Sequence, residues 1–277
     1  MPARFALALA AILFSTGGAA IKAISLNAWQ TAGLRSLIAA SILFILLPEA
    51  RRGWHWRIIP TSLAYAACLT LFVHANKMTT SANAIFLQAT APAWLLLIGP
   101  LVLKEPVRRR DLLYSVLLAA GMGLFFAGVP GGQQTASNPM LGNILALLSG
   151  LAWALTIAGI RWQARGKESS GSLATVVLGN ALTAAAALPM AFPLAATLAD
   201  WSIILYLGVF QVGLAYIFLT RGMKHVQAFE SSAILLLEPV LNPIWTWLIH
   251  GERTGVFALV GATVIIVSTL WHARRSA

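Results

Sequence analysis

Apolar stretches of about twenty residues follow one another along almost the whole chain, and this pattern limits the possible fold more than any other feature. A helix of about 20 apolar residues, rising 1.5 Å per residue, crosses the ~30 Å hydrocarbon core of a bilayer. Only 10% of the residues are charged, whereas soluble domains carry roughly a quarter. We therefore predict an all-α polytopic membrane protein with ten transmembrane helices, over residues 4–25, 28–47, 58–77, 80–103, 110–128, 138–163, 172–193, 201–221, 226–250 and 255–273.

Lysines and arginines are unevenly distributed between the predicted loops. With ten spans, both termini and every second loop lie on one side of the membrane, and that side holds most of the basic residues. The opposite side holds Lys22, Lys77 and Arg253. Because basic loops stay in the cytoplasm, we expect both termini to be cytoplasmic, in a bacterial inner (plasma) membrane. The net charge of +11 is then a topology signal and does not indicate a nucleic-acid partner.

The two halves of the chain resemble each other in sequence. NAIFLQATAPAWLLLIGPLVLKE aligns without a gap with ESSAILLLEPVLNPIWTWLIHGE, so that Pro92 falls on Pro239 and Glu105 on Glu252. Both glutamates lie at span ends, where a carboxylate is expected to cap the following helix. An internal repeat of this kind determines the architecture of the whole protein.

The repeat predicts two five-helix units, residues 1–128 and residues 138–277, joined by a linker over 129–137. Because five is odd, the two units must cross the membrane in opposite directions. Inverted repeats of this kind occur in transporters, where they place a binding site between the halves near the middle of the membrane.

A proline within a span, followed by an apolar stretch and by Lys-Glu or Gly-Glu at the helix end, occurs once in each half. This motif resembles the EamA-type families of the drug/metabolite transporter superfamily, and the resemblance covers the whole chain. In length and in its aromatic-rich core helices the chain most resembles the YddG-type exporters of aromatic amino acids. The resemblance implies a central cavity lined by helices one, three, four, six, eight and nine, with helices five and ten at the periphery. A monomer suffices, because one chain contains both halves of such a cavity.

Glu238 and Pro239 lie together within the ninth predicted span. A charge at the centre of a span costs about 2.5–3.5 kcal/mol, and proline leaves a backbone carbonyl without its helical partner. Both residues are therefore expected to face the interior of the bundle. Glu238 either interacts with the amino group of a zwitterionic substrate or is a structural carboxylate. Arg35, within the second span, either extends to the outer interface or makes an internal ion pair or a contact with a substrate carboxylate.

The other cavity candidates are aromatic and polar residues within the spans that the resemblance assigns to the cavity: Phe14, His74, Gln88, Trp94, Trp153, Phe210, Gln211, Tyr216, Asn242 and Trp245. Aromatic rings with a few polar groups suit an aromatic or other apolar amino acid. Structural roles stay open, since a lone histidine is usually structural and amides often join helices. Pro92 and Pro239 are predicted to break helices four and nine, and Cys68 is interpreted as a small packing residue.

Enzymatic chemistry finds little support in the sequence. Asp111 and Asp200 lie in predicted loops, and the chain has neither a metal-ligand motif nor a Gly-rich phosphate loop. We predict a secondary transporter, without cofactor or metal, that exports aromatic or other apolar amino acids by alternating access. Without a nucleotide motif, and without an acid in the first helix, facilitated diffusion is favoured. The alternative is a proton-coupled exporter of drug-like cations or other metabolites. The expected partners are the small-molecule substrate and membrane lipid.

Overall fold

The computed structural model describes residues 2–100, 109–127, 136–164, 171–223, 234–235 and 237–276, and within these residues the chain is helical and contains no strand. The helices are α1 (Ala3–Ser15), α2 (Gly17–Ala23), α3 (Ala28–Leu46), α4 (Ile58–Met78), α5 (Ser81–Gln88), α6 (Ala91–Ile98), α7 (Arg109–Ala127), α8 (Pro139–Ala164), α9 (Gly171–Ala187), α10 (Leu198–Tyr206), α11 (Ala215–Met223), α12 (Leu237–His250) and α13 (Val256–Ser276). A π-helical segment, Leu207–Leu214, joins α10 to α11. Short 3₁₀ turns follow α3, at Pro48–Arg51, and α9, at Leu188–Met190.

Within the described residues, six helical segments are long and apolar enough to cross a membrane: Ala3–Ala23, Ala28–Leu46, Ile58–Met78, Pro139–Ile160, Gly171–Met190 and Leu198–Leu219. The other described helices, α5, α6, α7, α12 and α13, overlap the remaining predicted spans. The predicted class, an all-helical polytopic membrane protein, is thereby confirmed. The number of ten spans and the side on which the termini lie stay predictions.

Three of the predicted spans are discontinuous. The first is divided at Thr16, whose hydroxyl donates to the backbone oxygen of Leu13 at 2.7 Å. The fourth is divided between α5 and α6, and Pro92 is the second residue of α6, where the absence of an N–H costs no helical hydrogen bond. The eighth contains the π-helical segment, a rare geometry that is frequent at functional sites.

Helices from the two halves of the chain pack on each other in matching pairs. Helix α4 packs on α8, and α1 packs on α11; α5 and α6 pack on α8, and α12 packs on α1 and α2. Likewise α4 contacts α9, whereas α3 contacts the π-helical segment. The pairs α3–α9 and α7–α13 each join equivalent positions of the two halves. The centre of the bundle is therefore built by α1, α4, α5, α8, α11 and α12.

Candidate functional site

Four aromatic rings from four helices meet inside the bundle. Phe14 on α1 and Tyr216 on α11 pack edge to face, with ring centroids 5.3 Å apart. Tyr65 on α4 lies 5.9 Å from Tyr216 and 6.3 Å from Trp153 on α8. Both tyrosines are buried, and all four side chains belong to one apolar cluster. We call these four residues the aromatic cluster; it contains three of the predicted cavity residues.

Glu238 lies beside the aromatic cluster. It is the second residue of the described part of α12 and is half-buried, while Ile234 and Leu235 just before it pack against the larger apolar cluster that contains these rings. It lies within electrostatic range of Cys68 and Tyr216. Among the described residues, none donates a hydrogen bond to its carboxylate. The acid thus lies near the aromatic cluster without a hydrogen-bond donor from the part of the chain that the structure describes.

Arg35 is enclosed by the bundle at the middle of α3, with only 2% of its surface exposed. Its Nη1 donates to Oε1 of Gln211 in the π-helical segment, and its Nη2 donates to the backbone oxygen of Leu69 on α4, both at 3.5 Å. The expectation that Arg35 extends to the outer interface is therefore wrong, because the side chain points across the bundle. It makes no ion pair with a carboxylate of the described residues.

Gln88, Ser149 and Cys68 connect three helices next to the aromatic cluster. Gln88 Nε2 on α5 donates to Ser149 Oγ on α8 at 2.8 Å and to Cys68 Sγ on α4 at 3.4 Å. Ser149 Oγ donates to the Cys68 backbone oxygen at 3.1 Å. Cys68 is therefore a hydrogen-bonded member of an interhelical network, and the interpretation of this residue as simple packing is incomplete.

Asn242 on α12 is fully buried in a second polar network. Its Nδ2 donates to the backbone oxygen of Ser15 at 3.1 Å, and its Oδ1 accepts from Ser81 Oγ at 2.8 Å. Ser81 also contacts Asn76 Oδ1 at 2.9 Å, and Trp245 Nε1 donates to Ser15 Oγ at 2.9 Å. Asn242 and Trp245, both predicted cavity residues, thus hold α12 against α1, α4 and α5.

A buried ion pair lies at the same end of the bundle as the Asn242 network. Lys22 Nζ on α2 lies 3.0 Å from Glu252 Oε1, and the two side chains are only 4% and 3% exposed. Lys22 also donates to the backbone oxygen of Thr79 at 2.8 Å, and Glu252 Oε2 accepts from the backbone N–H of Ser81 at 3.0 Å. Glu252 therefore binds at the start of α5. Its expected role, which was to cap the following helix, did not include this contact. Its sequence counterpart, Glu105, lies outside the described residues.

Three of the predicted cavity residues do not join these groups. His74 Nδ1 lies 2.8 Å from a backbone oxygen one turn earlier in α4, and its ring packs edge to face with Trp29 at 4.6 Å. Trp94 on α6 is half-buried. Phe210 is 46% exposed and stacks on Tyr206, with ring centroids 5.9 Å apart.

Sequence reasoning missed several residues of the interior. Tyr65 lies within an apolar span, where a tyrosine gives no sign of the direction in which it points. The sequence gives equally little indication that Ser15, Ser81 and Ser149 lie in the interior, since small polar residues occur throughout membrane helices. Pro243 could have been singled out from the sequence, because it stands four residues after Pro239. It lies inside α12.

A groove of about 450 Å³ lies between α4 and α9, away from the aromatic cluster. Its lining is almost entirely apolar: Trp54, His55, Ile58, Ile59, Leu63, Leu178 and Leu182. Ile59 and Leu63 are each at least half exposed. The groove therefore opens on the outer surface of the bundle rather than into its centre.

The fold and the interior together define a class of protein: a polytopic helical membrane protein that encloses charged, amide and aromatic groups between its two halves. Ionisable residues at such positions commonly mark the path of a solute. The chain belongs to the EamA-like transporter family, which matches residues 1–127 and 140–273. Its general function is accordingly transport, and not catalysis.

Individual relatives agree with this family. The chain is 32% identical to an uncharacterized Pseudomonas aeruginosa protein, PA1977, over 93% of this chain and 90% of the relative. It is 22% identical to the uncharacterized transporter YyaM of Bacillus subtilis, over 87% of this chain and 83% of the relative. A solved crystal structure shares the fold with a TM-score of 0.65 at 17% identity, covering 99% of this chain and 98% of that one.

Proposed function

We propose that this protein is a secondary transporter that exports aromatic or other apolar amino acids across the bacterial inner membrane by alternating access. The observation that carries the proposal is the aromatic cluster, enclosed between the two halves with Glu238 beside it. Rings of Phe14, Tyr65, Trp153 and Tyr216 offer apolar surface to an aromatic side chain, and Glu238 offers a negative charge to an amino group. The resemblance to YddG-type exporters agrees with this substrate class.

Two inverted repeats, residues 1–128 and residues 138–277, would provide the alternating access. The family matches two segments of similar length, and most helix contacts of one half have a counterpart in the other, such as α4–α8 and α1–α11. Inverted repeats allow two access states that are near mirror images. In this arrangement both termini face the cytoplasm.

The end of the bundle held by Lys22 and Glu252 lies on the predicted outer side. Their ion pair and the Asn242 network join α1, α2, α4, α5 and α12 there. Opening toward the outside would require these contacts to separate, and this supports our proposal of a state closed at the outer end.

Facilitated diffusion is the proposed mode, and transport into proteoliposomes tests it. Purified protein is reconstituted, and uptake of radiolabelled phenylalanine is followed with and without an imposed pH gradient. We expect saturable uptake that the gradient changes by less than twofold, and a loss of about tenfold in Glu238→Gln. The control is Glu49→Gln, at an exposed acid outside the interior, which should transport normally. Absence of phenylalanine uptake by the wild-type protein would reject the substrate class, and strong stimulation by the gradient would reject facilitation.

One observation favours a second candidate, the proton-coupled exporter of drug-like cations. Glu238 has no hydrogen bond from the described residues, so its carboxylate is free to exchange a proton or to bind a cation. The same proteoliposomes loaded with a lipophilic quaternary cation distinguish the two functions. Gradient-dependent movement of this cation, without movement of phenylalanine, would select the second candidate.

A further inference from the structure

Arg35 carries a positive charge into the interior of the bundle and has no negative partner among the described residues. The guanidinium remains protonated under all ordinary conditions, and 2% of the residue is exposed. The ion pair found in the interior of the described residues joins Lys22 to Glu252 and does not involve Arg35. A buried cation is unfavourable unless it is paired and hydrogen-bonded.

The hydrogen bonds of Arg35 leave most of its donors unused. A guanidinium has five N–H donors in a planar fork. Arg35 donates two of them, to Oε1 of Gln211 and to the backbone oxygen of Leu69. Both N···O distances are 3.5 Å, the weak limit of hydrogen bonding. Nε is buried and has no partner among the described residues. The hydroxyl of Ser36, the next residue of α3, is also buried and unpartnered.

The surroundings of Arg35 are the surroundings of the aromatic cluster. Arg35 lies within electrostatic range of Tyr65, Cys68 and Tyr216. Glu238 on α12 lies within electrostatic range of Cys68 and Tyr216 as well. One cation and one anion thus flank the same pair of side chains without contacting each other.

We propose that Arg35 binds the carboxylate of the transported substrate. A carboxylate matches the planar fork of a guanidinium and accepts two parallel hydrogen bonds from it. Gln211, at the widened turn of the π-helical segment, holds the guanidinium in position from one side. This inference rests on the proposed function and deepens it: the substrate is a zwitterion whose carboxylate binds Arg35, whose ammonium group faces Glu238 and whose side chain packs on the aromatic cluster.

The first arm of the test uses the wild-type protein alone. Uptake of radiolabelled phenylalanine into proteoliposomes is competed with unlabelled phenylalanine, phenylalaninamide and phenethylamine; the last two lack the carboxylate. We expect both analogues to compete at least tenfold more weakly than phenylalanine. Equal competition by all three compounds would overturn the proposal without any dependence on how a variant folds.

The second arm compares Arg35→Gln and Arg35→Lys with the control Arg52→Gln, at an exposed arginine. Arg35→Gln should transport phenylalanine at least tenfold more slowly than the wild-type protein. In thermal unfolding measurements, phenylalanine should also no longer stabilise this variant more than phenethylamine does. Arg35→Lys keeps the charge but not the fork and should be intermediate. Unchanged transport and unchanged preference in Arg35→Gln would reject the role of Arg35.

Failure of this inference differs from failure of the proposed function. If the wild-type protein transports phenylalanine and Arg35→Gln does so equally well, the function stands and Arg35 has no part in it. If the wild-type protein moves no amino acid but is stabilised by another organic carboxylate, and Arg35→Gln is not, the substrate class is wrong and the carboxylate site stands.

Discussion

Gly18 is a position where a single missing side chain determines how closely helices approach. It is the second residue of α2, and a Cβ there would overlap Ser81 Oγ on α5 and lie 2.7 Å from Asn242 Nδ2 on α12. Both neighbours are buried and hydrogen-bonded to each other. The polar network around Asn242 therefore depends on glycine at this position.

Gly18→Ala is accordingly expected to destabilise the protein and reduce transport. The added methyl group must displace Ser81 or Asn242, and each displaced group would leave a buried polar partner unsatisfied, at about 1–3 kcal/mol each. Thermal unfolding in detergent and proteoliposome transport measure the two effects.

The matched control is Gly123→Ala in α7, where a Cβ would meet nothing within 4 Å. There the expected change is a slight stabilisation, about 0.5–1 kcal/mol, because alanine favours a helix over glycine. Equal unfolding temperatures for the two variants would show that Gly18 has no special role in packing.

At the scale of elements, the ion pair of Lys22 and Glu252 joins parts of the chain that are far apart in sequence. Lys22 ends α2, and Glu252 follows α12; each also contacts the turn between α4 and α5, at Thr79 and Ser81. Four helix ends are thus held together by two side chains. Because both side chains are buried, the contact is not screened as a surface pair would be.

Neutralising one partner is therefore expected to be worse than neutralising both. Lys22→Met or Glu252→Gln alone leaves a buried charge without its partner and should cost about 3–5 kcal/mol. The double variant removes both charges and should recover much of that loss. Unfolding by denaturant, arranged as a double-mutant cycle, measures the coupling, with exposed Arg52→Met as the control.

Strictly additive losses in this cycle would contradict a direct interaction between the two residues. Transport by the double variant is informative as well. If the pair holds the outer end closed, the double variant should transport with a changed balance of influx and efflux while remaining folded.

At the scale of the whole molecule, many helix contacts of one half have a counterpart in the other, such as α4–α8 and α1–α11. In the proposed arrangement, five spans before the linker and five after it would bring the chain back to the side on which it began. Both ends of the chain would then lie on one side of the membrane, which the distribution of basic residues predicts to be the cytoplasm.

Reporter fusions test this arrangement directly. Green fluorescent protein, active in the cytoplasm, and alkaline phosphatase, active outside it, are fused in turn to the C-terminus and after Asn138, the residue that follows the linker. We expect fluorescence at the C-terminus and phosphatase activity after Asn138. Fluorescence at both positions would exclude an odd number of spans in the second half and would remove the inverted repeat.

Much of the fold could be predicted from sequence, because the length and hydropathy of a span depend only on local composition. The described helices overlap the predicted spans, but the interruptions of the helices could be predicted only in part. Pro92 indicates the break between α5 and α6, whereas nothing in LGVFQVGL indicates a π-helix. The site is harder to predict, since direction around a helix depends on its neighbours. Phe14 and Trp153 reach the interior while Phe210 does not, and Lys22 meets a partner some 230 residues away.

The π-helical segment Leu207–Leu214 also affects how the eighth span could change in length. A π turn holds about one residue more than an α turn over the same rise, so the loss of a single residue here would convert it to α-helix. Both flanking helices would keep their faces, whereas a deletion anywhere else in the span would rotate one flank by about 100° relative to the other. The segment is thus the described stretch of this span where a natural length variant could arise without reorienting Tyr216.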